Sequence, residues 1–293
     1  MNEPTQRPGG PLIWLCRFVL SLLGWSYMAL SSALFFPVAL AVWLVTVPFD
    51  RNLVVQHLFT CFWAVMYVWV HPGWRLRVEG RRKLPWRGAA IIVANHQSLV
   101  DALVIFALFR PFKPVSQAIV RWAPFIGWNM MLNRYILLER GDRASIAQMA
   151  EACRYWLRRG APVMIYPEGT RSADGEIKSF QNGAFKLAVE ENCPVYPVVI
   201  DGTRDALPRK SLLLSLSARM IARVLDPVPP AAKEAASSEV HARDRAIELR
   251  DRVRQLMIDE LSRMRKSPAP NNSQTGPNSA GAAAGGAAQS HVA

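Results

Sequence analysis

Acidic residues and cysteines are scarce in this chain. Of 293 residues only 22 are Asp or Glu, against 35 Lys or Arg, which leaves a formal charge of +13. So basic a chain needs an anionic partner, whether nucleic acid, a membrane surface or a phosphorylated substrate, and charge alone does not choose among them. The four cysteines, Cys16, Cys61, Cys153 and Cys193, have no C-x-x-C spacing, so neither a zinc knuckle nor a disulfide framework is indicated. They read as small buried hydrophobes in a reducing compartment. There is no G-x-S-x-G elbow and no internal repeat. Charge is missing altogether between residues 18 and 49. That run of about 30 residues exceeds the roughly 20 needed to cross a bilayer.

Arg7 and Arg17 precede this run, and small residues stand at 31–33, as in a secretory signal peptide. The apolar stretch continues far past the usual h-region of about 7 to 15 residues, so it reads as a retained anchor. After Asp50 and Arg51 the chain turns apolar again over 53–74, with Trp63, Tyr67, Trp69 and Trp74 spaced like interfacial aromatics. Gln56, His57 and Thr60 make this second segment marginal as a span. Basic residues flank the pair: Arg7 and Arg17 before it, then Arg75, Arg77, Arg81, Arg82, Lys83 and Arg87 after it. A helical hairpin puts both flanks in the cytoplasm. Pro37 or Pro48 can turn or kink the first helix, and both a full crossing and a one-leaflet hairpin fit.

From residue 76 short apolar runs alternate with longer amphipathic stretches, the pattern of an α/β fold. Strands are expected at 76–78, 89–94, 135–138, 163–166 and 195–200. Helices are expected at 98–109, at 142–159 with Asp142 as N-cap and Gly160 as terminator, and at 181–191. Over 211–225 strand and helix are equally supported. A C-terminal amphipathic helix over 236–265 carries Ile247, Leu249, Val253, Leu256, Met257 and Leu261 as its apolar stripe, which either packs on its own domain or leaves an Arg-rich face for lipid headgroups. Residues 266–293, rich in Ala, Gly, Ser, Asn and Pro, are expected to be disordered. The resulting division is 12–74 for membrane-embedded helices, 75–230 for the α/β domain, 236–265 for the helix and 266–293 for the tail.

Two polar clusters follow apolar runs. In Asn95-His96-Gln97-Ser98-Leu99-Val100-Asp101 the histidine and carboxylate are five apart. On one regular helix they would diverge by about 140°, so His96 must lie outside the helix and fold back for Asp101 to take its ring N–H. That arrangement makes a general base. The alternative keeps Asn95 as a helix cap, His96 as a loop residue and Asp101 as a solvated charge. In Tyr166-Pro167-Glu168-Gly169-Thr170-Arg171-Ser172, a guanidinium beside a hydroxyl and a flexible glycine can grip a phosphate. An ordinary turn with a surface arginine is the other reading.

His96-x-x-x-x-Asp101, followed about 70 residues later by Pro-Glu-Gly-Thr-Arg-Ser, resembles the glycerolipid acyltransferase family, in particular bacterial 1-acylglycerol-3-phosphate (lysophosphatidic acid) acyltransferases. The likeness extends through Pro124-Phe125-Ile126-Gly127-Trp128 to Arg140 and to Val195-Tyr196-Pro197-Val198-Val199, covering residues 76–228. It implies an α/β acyltransferase domain behind the membrane-embedded hairpin. It implies a fatty acyl thioester, acyl-CoA or acyl-ACP, as cosubstrate, lysophosphatidic acid as acceptor, and no metal or redox cofactor. His96 and Asp101 would be catalytic, Arg140 and Arg171 would hold the phosphate, Glu168, Gly169 and Thr170 would shape the glycerol site, and Pro197 the acyl pocket. Membrane lipids are the implied partners and nucleic acid is not expected. The implied location is the bacterial inner membrane with the catalytic domain facing the cytoplasm. Glu139 replaces the family's usual Asp before Arg140, and Gln117 replaces a common lysine, for which Lys113 or Arg121 would compensate. Rival readings are a different lyso-lipid acceptor, an esterase with Ser98 as nucleophile, and a non-catalytic protein binding anionic lipid.

Overall fold

The computed structural model describes residues 10–231 and 239–266. A long helix, α1 (Pro11–Thr46), runs unbroken through Pro37 and ends before Pro48, followed by α2 (Val54–Val70). The remainder is a seven-stranded sheet of β1 (Trp74–Glu79), β2 (Ile91–Ala94), β3 (Lys113–Gln117), β4 (Ile136–Leu138), β5 (Val163–Ile165), β6 (Val195–Asp201) and β7 (Ala218–Val224) in the order β1-β7-β6-β2-β5-β3-β4. The stretch from β6 to β4 is parallel, and β7 runs antiparallel to β6. Interleaved are α3 (Val100–Phe106), α4 (Ile126–Leu132), α5 (Arg143–Arg158), α6 (Gly183–Glu190), α7 (Thr203–Ala206) and α8 (Glu239–Lys266).

Central strands read as continuous apolar runs because both faces are covered. Ile91, Val93, Val163, Val195 and Val199 pack under α5, α6 and α8, while Ile92, Ala94, Met164, Val198 and Ile200 pack under α2 and α3. Asp142 caps α5, its carboxylate accepting from the amides of Ala144 and Ser145, and Gly160 follows the helix with φ +70°. All five expected strands are present. Two more exist: β3, and β7 at the position where strand and helix were evenly supported.

The expected helical hairpin is present as α1 and α2, packed on each other where Phe35 meets Phe59, Phe62 and Trp63. Among the described residues only α1 is long and apolar enough to cross a bilayer by length and composition. The 17-residue α2 is shorter than a full span and also seats the sheet domain. Gln56, His57 and Thr60, polar flaws in a span, are buried polar contacts: Gln56 Nε2 donates to Asn129 Oδ1 (3.0 Å), Thr60 Oγ1 accepts from Asn129 and Asn133 (3.0 Å each), and His57 Nδ1 meets Tyr135 Oη at 2.7 Å. Of the four aromatics, Trp63 and Trp74 are buried, Tyr67 bridges to Ser32 on α1 at 3.0 Å, and only Trp69 is exposed. The 211–217 segment ties α1 to the domain: Trp25 Nε1 donates to Leu212 O and the Leu214 amide to Ser21 Oγ, both at 2.8 Å.

The stripe of α8 packs inward through Leu249, Val253, Met257 and Leu261, with Ile247 half-buried, whereas Leu256 faces out. Several of its arginines are committed to the protein. Arg254 donates to the carbonyls of Ile177 and Lys178, and Arg265 binds Asp201, Glu176 and Gly175 O, so headgroup binding by an Arg-rich α8 face is not what these side chains are arranged for. Past Lys266, the expected disordered tail lies outside the described residues.

Candidate active site

β2 ends at Ala94, where the chain must leave the sheet. Asn95 prolongs the ladder with its side chain, its amide donating to Ile200 O and accepting from Ile200 N, both at 2.8 Å; it caps no helix. His96 is then fixed by its own backbone: its N–H donates to Glu168 Oε1 (2.9 Å) and its carbonyl accepts from Ser172 N (2.7 Å). The two clusters, about 70 residues apart in sequence, are thereby one site.

Asp101, in the first turn of α3, is fully buried, and every contact on it is a donor. Its Oδ2 accepts from His96 Nδ1 (2.7 Å), Gln97 N (2.6 Å) and Ser98 N (2.8 Å), and its Oδ1 accepts from the Thr203 hydroxyl. A carboxylate facing Nδ1 fixes the proton there and leaves the lone pair on Nε2. No partner occupies Nε2 among the described residues, and the imidazole is 14% exposed. The Tyr166 ring stacks on it at 4.2 Å and 21°. Burial, with the Asp101 charge nearby, raises the Tyr166 phenol well above its usual range, so it stays protonated.

Arg140 and Arg171 supply the positive side. Partial burial, reinforced by repulsion from the Arg171 charge, lowers the Arg140 pKa. Such an arrangement suits a shared anion. Gln117, with its amide oxygen toward the guanidinium, accepts from Arg140 Nε (3.1 Å) and Nη1 (2.9 Å). Gln117 therefore holds the arginine in place where a lysine would add charge. Lys113 does not compensate: at the opposite end of β3 it is buried, its Nζ donating to Asn133 O (2.8 Å) and lying 4.2 Å from the centre of the Trp156 ring. Arg121 instead covers Trp122, at 4.7 Å.

One expected role gains its contacts and two change. The Glu168 oxygens accept from the amides of His96 and Lys178, so this carboxylate shapes the site by clamping its loop to the His96 turn; burial raises its pKa against the pull of those bonds. Pro197 sits mid-strand in β6, paired with Val93, and by strand alternation shares the α6 and α8 face with Val195 and Val199, away from α3 and His96. Ser98 is fully buried and donates to Leu207 O (2.7 Å), which removes it as a nucleophile and the esterase reading with it. Gly169 (φ +69°) is exposed beside a half-buried Thr170 at the loop tip, open for contact.

Thr203 is the residue that sequence spacing missed. It follows Gly202, whose φ of +81° and whose contact distance of 1.9 Å from a would-be Cβ to Arg219 O demand glycine. That tight turn delivers the hydroxyl to Asp101 from 102 residues away. No local pattern announces it.

Comparisons with known proteins give the family and the fold. The Acyltransferase family profile matches residues 75–201, which hold every site residue above except Thr203. A 1-acyl-sn-glycerol-3-phosphate acyltransferase of Chlamydomonas reinhardtii is 35% identical over 191 residues, 64% of this chain and 56% of that one. The protein of the same name from Saccharomyces cerevisiae is 30% identical over 221 residues, 74% of this chain and 69% of its own. The chain spans about half the length of several curated relatives it matches. The crystal structure of PlsC, a 1-acyl-sn-glycerophosphate acyltransferase from Thermotoga maritima, superposes with TM-score 0.66 over 86% of this chain and 99% of that one at 23% identity, which establishes the shared fold. The extent of the yeast match, more than two thirds of both chains, places this chain in the acyltransferase family.

Proposed function

We propose that the protein transfers a fatty acyl group from acyl-CoA or acyl-ACP to the sn-2 hydroxyl of 1-acyl-glycerol-3-phosphate, forming phosphatidic acid. The observation that carries this reading is the His96–Asp101 pair with Nε2 left open beside the loop bearing Arg171. The relatives' names supply the acceptor.

Nε2 of His96 takes the proton of the sn-2 hydroxyl as its oxygen attacks the thioester carbonyl. The tetrahedral intermediate collapses with cleavage of the C–S bond, and the thiolate leaves with the proton returned from the imidazolium. Asp101 holds the ring and balances its transient charge, and proton transfer to a positioned general base such as His96 is typically worth about 10² to 10⁴ in rate. Arg140, braced by Gln117, and Arg171 grip the acceptor phosphate. With α1 in a membrane, the domain sits where acceptor and product both reside; Arg17 on α1 and the basic residues after α2 favour the cytoplasmic side, in a bacterium that of the inner membrane.

Full-length protein in detergent, given labelled acyl-CoA and a panel of lyso-lipids, should yield phosphatidic acid. Arg171→Ala should raise KM for the phosphate-bearing acceptor by roughly tenfold or more, since charge-assisted hydrogen bonds contribute about 1.5–3 kcal/mol each. Acylation of a neutral lyso-lipid with equal efficiency would end this reading.

A further inference from the structure

Beside the anion site lies an apolar surface that the chemistry does not use. Residues 118–132 form a 3-10 turn, Ala118–Trp122, and then α4. Ile119 and Trp122 are each 69% exposed, with Met131 at 52% and Trp128 at 48%. Single exposed hydrophobes are ordinary; four large ones clustered in one short segment mark a contact surface.

The patch is continuous with α1. Phe36 packs against Trp128 (5.3 Å between ring centroids) and Phe125 (6.1 Å), and the neighbouring α1 side chains Leu30 and Leu34 are exposed. Its rim is cationic: Arg121 lies over the Trp122 ring and Arg134 is exposed on the turn after α4. Tryptophan with arginine at the edge of an apolar face suits the boundary between acyl chains and anionic headgroups. Gln117, which braces Arg140, immediately precedes the segment.

We propose that residues 118–132 are a second membrane-contacting element, lying in the same leaflet as α1, through which a lipid acceptor passes laterally so that its phosphate moves from the headgroup layer to Arg140. The membrane is the partner because the patch extends an apolar helix of 36 residues and is rimmed by charge opposite to that of anionic lipid. The route, though not the membrane contact, rests on the acyl-transfer reading.

The two claims separate by experiment. In a Cys16→Ser background, whose other three cysteines are buried, single cysteines are introduced by Ile119→Cys, by Leu34→Cys on α1, and by Gln255→Cys on α8 across the sheet, then labelled with an environment-sensitive fluorophore. Full-length protein is placed in phosphatidylcholine–phosphatidylglycerol vesicles carrying doxyl-labelled lipid. Quenching at 119 should match that at 34 and exceed that at 255 severalfold; quenching at 119 no greater than at 255 overturns the membrane contact, whatever covers the patch instead. This readout needs no turnover. For the route, Ile119→Ser with Trp122→Ser should raise KM about tenfold for a long-chain acceptor in vesicles, the equivalent of losing part of the burial of two large side chains, and leave a water-soluble short-chain acceptor within twofold. Equal change on both acceptors overturns lateral entry, and Ile119→Leu with Trp122→Phe should restore the vesicle KM.

Discussion

Two histidines of this chain sit in similar surroundings and can do opposite things. His57 on α2 and His96 after β2 each have Nδ1 within 2.7 Å of an oxygen, Tyr135 Oη in one case and Asp101 Oδ2 in the other. The second nitrogen separates them. His57 Nε2 is 3.0 Å from Arg110 O, which can only accept, so Nε2 carries the proton and the Nδ1 lone pair receives the Tyr135 hydroxyl. No lone pair is left over. His96 is the reverse, with its proton held by the carboxylate and Nε2 open where the parallel strands end, the usual place for a site in an α/β sheet. A base is thus defined less by the imidazole than by which of its nitrogens the fold leaves unspent.

The sharpest way to break this contrast is to truncate both rings. His96→Ala should lower kcat by about 10² to 10⁴ while the unfolding midpoint moves little, because Asp101 retains three other donors. His57→Ala should do the opposite. It strands the Tyr135 hydroxyl and the Arg110 carbonyl, at about 1–3 kcal/mol for each buried unsatisfied group, and should lower the midpoint while kcat per folded molecule stays within a few-fold. Denaturant unfolding alongside turnover, corrected for folded fraction, reads both; an equal kcat loss in the two variants would refute the division of roles.

A subtler test asks whether Asp101 alone sets the imidazole. Thr203→Val keeps the shape and removes the donor on Oδ1. With the carboxylate less constrained, kcat should fall by roughly tenfold, the rate equivalent of about 1.4 kcal/mol, with KM for either substrate unchanged, and Thr203→Ser should recover most of it. A KM effect without a kcat effect would assign Thr203 to binding instead.

How much of this was legible beforehand depended on how local the signal was. The spacing of His96 and Asp101 allowed the pair without deciding it, and the second cluster with the resemblance favoured it; β2, β5 and β6 could be read because parallel central strands are written as apolar runs. β3 was not readable: Lys-Pro-Val-Ser-Gln has a charged residue where a core strand should be apolar, and that lysine is made tolerable by distant groups such as Trp156 and Asn133 O, brought in by α5 and the turn after α4. The polar face of α2 looked like a flaw in a membrane span because its partners, Asn129, Asn133 and Tyr135, lie more than 60 residues away. Glu168, whose contacts the resemblance left unspecified, and Pro197, which faces away from His96, show the same limit from the side of resemblance. A motif marks which residues matter at a site, but whether a carboxylate meets substrate or two backbone amides is decided by tertiary geometry.

The His57 region can be probed once more through its charge. Lys113 ends the polar network there, and burial, opposed by Asp50 and assisted by Arg134, lowers its pKa from the ordinary 10.5 to about 7. In the unfolded chain the ammonium keeps its proton to about 10.5, so between about pH 7 and 10.5 the unfolded state binds more protons than the folded one. Stability must then rise with pH across that window, and below about 7, where both states are protonated, the cost of burying the charge is fully present. Lys113→Met should flatten this slope and raise the unfolding midpoint most at about pH 6. A small offset is expected from the unpaired Asn133 carbonyl, and turnover should stay unaffected, since Gln117 and the anion site lie at the other end of β3. Denaturation midpoints for both proteins across the window decide it: parallel slopes would mean that Lys113 keeps its proton in the fold and that the cation over Trp156 and the Asn133 carbonyl is permanent.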